Sequence, residues 1–257
     1  MCGIAGFLGQ YDKEQMPIVA TAMAERIAHR GPDDFGVWVD TEVGIALAHR
    51  RLAIVDLSPA GHQPMLSESG RFVLVFNGEI YNHLELRSQL SAAGTASAWR
   101  GHSDTETLLA AIEVWGLTAT LKASIGMFAI ALWDKQEKTL SLARDRFGEK
   151  PLYYGWQNGV LLFGSELKAI GAHPSFERRV NRDAVALLLR YNCIPAPYSI
   201  WQGIGKLPQA TCLTVKPGQM DAVPEPYWSL AEMAESGQRT PFAGTESEAA
   251  DALDAAL

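Results

Sequence analysis

Several apolar runs in this chain lack the alternation of polar and apolar side chains that a half-exposed strand shows. The strongest run is Phe72–Phe76, and further strands are predicted at Met127–Trp133, Thr139–Ala143, Leu152–Trp156 and Val160–Phe163. Strands without alternation are usually covered on both faces. Two stacked sheets with helices outside both would bury them, so the pattern predicts a layered, strand-rich α+β domain.

A helix is predicted near residues 16–28, where apolar residues recur with helical spacing. Pro32 ends this segment, because the residue before a proline disfavours helix. Shorter strands are predicted at residues 4–8 and, as a pair around a turn, at residues 37–39 and 44–48.

Two further helices carry start signals. Asn82 is followed by Glu85, and Ser103 by Glu106, at the spacing of a capping box. In that motif, the capping side chain and the acid three residues later each accept a backbone N–H of the first turn. Gly94 is expected to stop the first of these helices.

The character of the chain changes after its first 190 residues, where proline and glycine become frequent. This composition predicts an irregular connector over residues 191–245, with a short strand at 210–215. An Ala-rich helical pattern then begins, and the sequence ends inside it. The interpretation is a first domain over residues 1–190, the connector, and the truncated start of a second domain over residues 246–257.

Composition argues against several classes of partner. The net charge is −7 with both signs interspersed, which argues against a nucleic-acid or membrane-surface binder. No apolar run has membrane-spanning length, and the N-terminus lacks a signal-peptide pattern. Cys2, Cys193 and Cys212 are too scattered for a disulfide framework and lack zinc-ligand spacing, so no metal site is predicted. A cytoplasmic location is expected.

Cys2 directly follows Met1. Removal of the initiator methionine would leave a thiol and a free α-amine on one residue, and the amine can accept the proton of the thiol. Gly3 leaves room for a substrate close to the backbone. Taken alone, however, an early cysteine is more often an incidental small core residue.

Asn77-Gly78 is a turn signal, so the strand Phe72–Phe76 is expected to stop there. A side-chain amide and a backbone N–H at a rigid strand end are candidate donors for the oxyanion that forms when an amide is attacked. An ordinary hairpin turn is the competing interpretation.

Charged residues near these segments suit the two ends of a free amino acid. Arg50 and Arg51 follow the predicted strand at 44–48, and the planar guanidinium of arginine suits a carboxylate. Glu79 and Asp104 are candidate acceptors for an ammonium group. A solvated arginine pair and an acid favoured by the helix dipole are the alternatives.

Together these sequence segments resemble those of the class II glutamine amidotransferases, and in particular the glutaminase domain of the asparagine synthetase family. One such match is modest evidence, whereas several in family order make coincidence implausible. The matching segments cover residues 1 to about 215 and are Met1–Gly6, His29–Asp33, Leu47–Asp56, Phe76–Asn82, Ser103–Glu106 and Ala143–Tyr154.

The resemblance implies a four-layer α-β-β-α sandwich of the N-terminal-nucleophile hydrolase type. It also implies that Cys2 attacks the side-chain amide of glutamine and carries a γ-glutamyl thioester, with its own amine as base and then acid. Asn77 and Gly78 are implied to form the oxyanion hole. The implied glutamine-binding residues are Arg51, rather than Arg50, for the α-carboxylate, Ile54 and Val55 through their backbone, and Glu79 and Asp104 for the α-ammonium.

The resemblance further implies that ammonia passes through an internal channel to a C-terminal synthetase domain of the same chain, which uses ATP and Mg²⁺ to amidate aspartate. The Ser-Gly-Gly-x-Asp-Ser loop of that domain has no match in residues 190–257. The chain as given is therefore expected to hydrolyse L-glutamine, without a cofactor of its own, and not to make the amidated product. A homodimer of this chain is compatible with this interpretation.

Three alternative interpretations of the function were also considered. The same glutaminase could feed the amidation of a carboxylate other than aspartate, as in polysaccharide or natural-product synthesis, or the domain could be a silent glutamine-binding scaffold. Glucosamine-6-phosphate synthase is disfavoured, because it has Arg-Gly-Tyr-Asp-Ser where this chain has Arg30 to Asp34 reading Arg-Gly-Pro-Asp-Asp.

Overall fold

The computed structural model describes residues 1–94 and 99–256 and is organised around two groups of strands. The strands are β1 (Gly3–Leu8), β2 (Asp34–Asp40), β3 (Ile45–Arg51), β4 (Met65–Leu66), β5 (Phe72–Ile80), β6 (Gly126–Asp134), β7 (Thr139–Arg144), β8 (Tyr153–Gln157), β9 (Val160–Gly164), β10 (Ile204–Lys206), β11 (Thr211–Val215) and β12 (Glu225–Pro226). The helices are α1 (Met16–Glu25), α2 (His83–Ala92), α3 (Asp104–Trp115), α4 (Leu117–Ala123), α5 (Leu167–Ile170), α6 (Arg182–Tyr191), α7 (Leu230–Arg239) and α8 (Glu246–Ala256). Short 3₁₀ turns lie at Ala28–Arg30 and Pro59–Gly61.

The strands form two antiparallel sheets. The first has the order β10-β8-β9-β1-β3-β2 and the second the order β12-β11-β7-β6-β5-β4. The strands predicted from the sequence are all present, and the predicted helix at residues 16–28 is present as α1 and the 3₁₀ turn that follows it. The strand β1 lies in the interior of the first sheet, which carries Cys2 to one end of that sheet.

The two sheets stack face to face with helices outside both. Leu47 of β3 and Val75 of β5 belong to one buried cluster between the sheets. On the outer face of the first sheet, Met16 and Met23 of α1 pack with Ala46 of β3. The helix α3 packs on β5 at the outer face of the second sheet, with α2 beside it. The predicted four-layer α-β-β-α sandwich is confirmed.

The predicted turn at Asn77-Gly78 is wrong. The strand β5 continues to Ile80, and Gly78 pairs with Phe128 of β6. A side chain at position 78 would place its Cβ 2.3 Å from the carbonyl oxygen of Met127 and 2.7 Å from the Cα of Phe128. Glycine is needed here because the two strands approach closely, and not because the chain reverses.

One predicted capping box is half formed and the other is wrong. The hydroxyl of Ser103 accepts a hydrogen bond from the N–H of Glu106 at 3.2 Å, as predicted. Asn82 stands at the start of α2 but does not cap it, because its side-chain oxygen accepts from the N–H of Ile125 at 2.8 Å. Asn82 therefore ties the end of β5 to the loop before β6 instead of pairing with Glu85.

The first unit of the chain extends further than the expected boundary at residue 190. Residues 191–227 supply β10 to the first sheet and β11 to the second, and this unit runs from Met1 to Tyr227. Leu213 of β11 is fully buried, opposite Leu142 of β7. Short strands between the prolines and glycines thus complete both sheets.

The second unit begins at Trp228 and contains α7 and α8. The assignment of residues 246–257 to the start of a synthetase domain stays a prediction. Across residues 1–94 and 99–256, the helices are all too short or too polar to cross a lipid bilayer.

Candidate active site

A single pocket of about 100 Å³ brings together the residues singled out from the sequence. It lies where the ends of β1, β3 and β5 meet the start of α3, so residues far apart in the chain become neighbours. The sequence-predicted residues among its lining are Cys2, Arg51, Ile54, Val55, Asn77, Gly78, Glu79 and Asp104.

The thiol of Cys2 lies against the backbone of the segment that follows β3. Its Sγ accepts a hydrogen bond from the N–H of Leu52 at 3.4 Å and lies 3.6 Å from the carbonyl oxygen of the same residue. Burial raises the pKa of the Cys2 thiol above its ordinary value, and the bond from Leu52 opposes that rise in part. A thiol in this state needs a nearby base to become a nucleophile.

Arg30 holds the backbone of the nucleophile candidate. Its Nε donates to the carbonyl oxygen of Cys2 at 2.9 Å, and its Nη1 forms an ion pair with Glu166 at 3.0 Å. A Cβ at Gly3 would lie 3.2 Å from the Cδ of Arg30. The segment His29–Asp33 was matched to the family from the sequence, but no role was predicted for Arg30. Its contact with Cys2 was therefore not predicted.

Arg51 and Arg50 are neighbours on β3 and point to opposite faces of the sheet. The guanidinium of Arg51 reaches the pocket, where it donates to the carbonyl oxygen of Ser58 at 3.1 Å and to that of Asp56. Arg50 instead stacks over the ring of Phe35, with 4.4 Å between its Cζ and the ring centroid. Arg51 is thus the member of the pair that faces the pocket.

Asn77 presents a hydrogen-bond donor that the protein does not use. The residue is 1% exposed, and its Nδ2 has no partner among the residues that the structure describes. Leaving a buried donor unsatisfied costs about 1–3 kcal/mol. A donor kept free at this cost, on the wall of the pocket that holds Cys2, is suited to an oxygen atom of a ligand.

The peptide unit before Asn77 is fixed from two sides. The N–H of Phe76 donates to the side-chain oxygen of Gln63 at 2.7 Å. The carbonyl oxygen of Phe76 accepts from the Nε2 of His49, a fully buried residue of β3, at 3.0 Å. These supports come from other parts of the chain, and sequence reasoning missed them.

Two carboxylates lie at the end of the pocket formed by β5 and α3. Asp104 is buried and accepts from the N–H of Ile80 and the N–H of Thr105, each at 2.9 Å. Burial raises the pKa of Asp104, and these two bonds oppose the rise. Glu79 is half-buried on the same wall. The pocket therefore offers acceptors for a cationic group as well as the guanidinium of Arg51.

Ile54 and Val55 lie on the exposed rim of the pocket. Their exposed fractions are 67% and 40%, which is unusual for aliphatic side chains next to a buried site. Both residues nonetheless line the pocket. That Ile54 and Val55 contact a ligand through their backbone stays a prediction.

Comparison with known proteins identifies the family to which this chain belongs. A family model described as "Glutamine amidotransferase domain" matches residues 1–228. A putative asparagine synthetase [glutamine-hydrolyzing] 2 of Methanocaldococcus jannaschii is 34% identical over 250 residues, which are 90% of this chain and 47% of that protein. Asparagine synthetase [glutamine-hydrolyzing] 2 of Bacillus subtilis is 40% identical over 184 residues, 70% of this chain and 24% of that protein. The chain thus spans about half the length, or less, of these curated relatives.

A solved structure supports the fold alone. The glutamine phosphoribosylpyrophosphate amidotransferase of Bacillus subtilis superposes with a TM-score of 0.64 at 19% identity, over 88% of this chain and 49% of that one. The family model, in contrast, aligns the sequence itself and covers all residues of the pocket. The chain therefore belongs to the class II glutamine amidotransferases, as a glutamine amidotransferase domain whose curated relatives include asparagine synthetases.

Proposed function

We propose that this chain hydrolyses L-glutamine to glutamate and ammonia with Cys2 as the nucleophile. The observation that carries the proposal is the free donor of Asn77, buried on the wall of the pocket that Cys2 lines. An amide carbonyl that is attacked by a thiol becomes an oxyanion, and a preorganised donor stabilises that charge more than it stabilises the starting amide.

The reaction begins once Met1 is removed. The α-amine of Cys2 takes the proton of the thiol, and the sulfur adds to the side-chain carbonyl carbon of glutamine. The side-chain N–H of Asn77 and the backbone N–H of Gly78 donate to the oxygen, which becomes negative. The protonated amine then gives its proton to the leaving nitrogen, so ammonia departs and a γ-glutamyl thioester remains. Water, deprotonated by the same amine, cleaves the thioester to glutamate and the free thiol.

The charges of the pocket match the ends of a free amino acid. Arg51 binds the α-carboxylate, because a guanidinium can donate two parallel hydrogen bonds to a carboxylate. Glu79 and Asp104 bind the α-ammonium. Ile54 and Val55 contact the substrate through their backbone. This arrangement favours free glutamine over a glutaminyl residue inside a peptide, which lacks both terminal charges.

The ammonia is delivered to a domain of the asparagine synthetase type, which would use ATP and Mg²⁺ to amidate an aspartate carboxylate. Support comes from the names of the relatives from Methanocaldococcus jannaschii and Bacillus subtilis, both of which are named as glutamine-hydrolysing asparagine synthetases, the first as a putative one. This chain matches less than half of each of these relatives. A full-length protein with purified substrates would test the acceptor.

The test of the glutaminase is intact-mass spectrometry before and after treatment with 6-diazo-5-oxo-norleucine, an electrophile that mimics glutamine. We expect a mass without Met1 and a single adduct that maps to Cys2. The variant Cys2→Ala should keep its fold, form no adduct and release no glutamate from glutamine. Undiminished glutamate release by Cys2→Ala would overturn the mechanism.

A further inference from the structure

Lys150 is a buried cation for which the reaction above has no role. It is 5% exposed and lines the same pocket as Cys2. Its Nζ lies 3.4 Å from the Sδ of Met1. Across the described residues, the ion pairs of this protein do not include Lys150. A thioether is a weak acceptor, so the ammonium is buried without a partner that matches its charge.

The backbone around Lys150 is held from both sides. The fully buried carboxylate of Asp145 accepts from the N–H of Glu149 and from the N–H of Lys150, each at 2.9 Å. The Nε of Arg144 donates to the carbonyl oxygen of Lys150 at 2.7 Å. The segment Ala143–Tyr154 resembles the family but had no role assigned from the sequence. These bonds show what it does structurally, because they fix the backbone that carries Lys150. The segment places one ammonium group beside the N-terminus.

The contact with Met1 sets an upper limit on the distance between the Nζ of Lys150 and the backbone nitrogen of Cys2. Covalent geometry limits the path from the backbone nitrogen of Cys2 to the Sδ of Met1 to a few bonds, so the Nζ of Lys150 lies within roughly 10 Å of that nitrogen. After removal of Met1, the same nitrogen is a free α-amine. Protonating it would place a second positive charge near the ammonium of Lys150.

Resting on the proposed function, we propose that Lys150 is a positioning residue whose charge keeps the α-amine of Cys2 unprotonated near neutral pH. The amine can then act as a base towards the thiol. Two positive charges about 10 Å apart, at an effective dielectric constant of about 20, change a protonation equilibrium roughly tenfold, and by more at a shorter distance. The protonated amine that forms during the reaction is correspondingly a stronger acid towards the leaving nitrogen.

The other charges around Cys2 are already committed. They are Arg30 with its partner Glu166, Arg51, Asp56, Glu79 and Asp104. Arg30 is neutralised by its ion pair, and the carboxylate of Asp56 accepts from the N–H of Ser58 and the N–H of His102. Arg51, Glu79 and Asp104 bind the two ends of glutamine in the proposed complex. Of the two cations among the described residues that line the pocket, Arg51 and Lys150, Lys150 is therefore the one without an ion pair or a substrate group as its partner.

The test compares the wild type with Lys150→Met and Lys150→Arg. Methionine keeps much of the length without the charge, and arginine keeps the charge. The rate at which cyanate carbamylates the Cys2 α-amine, mapped by peptide mass spectrometry, reports the protonation of that amine without requiring turnover. The pH dependence of kcat/KM for glutamine hydrolysis reports its use as a base.

We expect Lys150→Met to move both midpoints to higher pH by about one unit or more, with activity recovered at alkaline pH, and Lys150→Arg to restore the wild-type profile. A uniform loss of activity at all pH values, or unchanged midpoints in Lys150→Met, would overturn the role of Lys150. A wild-type protein that loses Met1 and still releases no glutamate would instead refute the proposed function.

Discussion

The Nε2 of His49 donates a hydrogen bond to the carbonyl oxygen of Phe76 at 3.0 Å, and this bond joins β3 of one sheet to β5 of the other. His49 is fully buried, and its Nδ1 has no partner among the described residues. Burial lowers the pKa of His49 to about 4, so the ring is neutral at physiological pH. The residue that follows Phe76 is Asn77, so the bond also fixes the strand that carries the free donor.

Stability is expected to fall as the pH is lowered. The pKa of His49 is about 4 in the folded protein and 6.5 in the unfolded chain, so the unfolded chain binds more protons between these values. The contribution of His49 is therefore complete above pH 6.5 and is lost as the pH falls towards 4, by up to about 3 kcal/mol. Urea unfolding between pH 7.5 and about 4.5 measures this slope.

The variant His49→Gln is the matched control for the dependence of the free energy of unfolding on pH. Glutamine retains an N–H donor for Phe76 and does not titrate, so its stability should depend less on pH in this range than that of the wild type. Some slope remains, because burial also lowers the pKa of His173 to about 4. Equal slopes in the two proteins would contradict the assignment to His49.

Replacing Asn77 by Ala should lower kcat by about 10²-fold or more, the usual scale for one oxyanion donor, with little change in KM. The physical reason is that its Nδ2 is free in the resting enzyme and gains a charged acceptor only during the reaction. Steady-state kinetics of glutamate release measure it. Asn82→Ala is the control, since the Asn82 side chain bonds to Ala123 and Ile125 instead of lining the pocket. A change confined to KM in Asn77→Ala would speak against the role.

The adjacent arginines should behave differently. Arg51→Ala should raise KM for glutamine strongly, because its guanidinium faces the pocket, whereas Arg50→Ala should raise it less, because Arg50 stacks on Phe35 outside the pocket. Arg51 also donates to the carbonyl oxygen of Ser58, so thermal unfolding of each variant must accompany the kinetics. Equal effects on KM would remove the distinction between the two residues.

The fold was largely accessible from the sequence because its signals are local. Non-alternating runs such as Phe72–Phe76 predict strands covered on both faces, and the cap of α3 by Ser103 is set within a few residues. The identity of the pocket residues, in contrast, came from the family resemblance. Residues alone left Arg50 and Arg51 equivalent. The resemblance implied Arg51, and the alternation of β3 in the structure places only Arg51 at the pocket.

The interactions missed from the sequence join distant parts of the chain. Arg30 contacts the backbone of Cys2 from 28 residues along the chain, and Lys150 contacts Met1 from 149 residues along the chain. No periodicity or motif spacing encodes such contacts, since they depend on which strand ends the two sheets bring together. The assignment of Gly78 to a turn failed for the same reason, because the close approach of Met127 is not visible in the local sequence.

Replacing Gly78 by Ala distinguishes a glycine needed for strand packing from one needed for a turn. The new Cβ would lie 2.3 Å from the carbonyl oxygen of Met127, so β5 and β6 must separate. We expect a loss of about 1–3 kcal/mol in the free energy of unfolding, the usual cost of overpacking, together with a lower kcat because the neighbouring donor of Asn77 moves.

The control for this prediction is Gly237→Ala in α7, where an added Cβ meets nothing within 4 Å. That change should leave the main unfolding transition unaltered. Thermal and urea unfolding, each paired with the glutaminase assay, measure both variants. Gly78→Ala with wild-type stability would mean that the strands accommodate a side chain at this position. If such a variant also kept its kcat, the close packing of β5 on β6 would have no part in holding Asn77 in place.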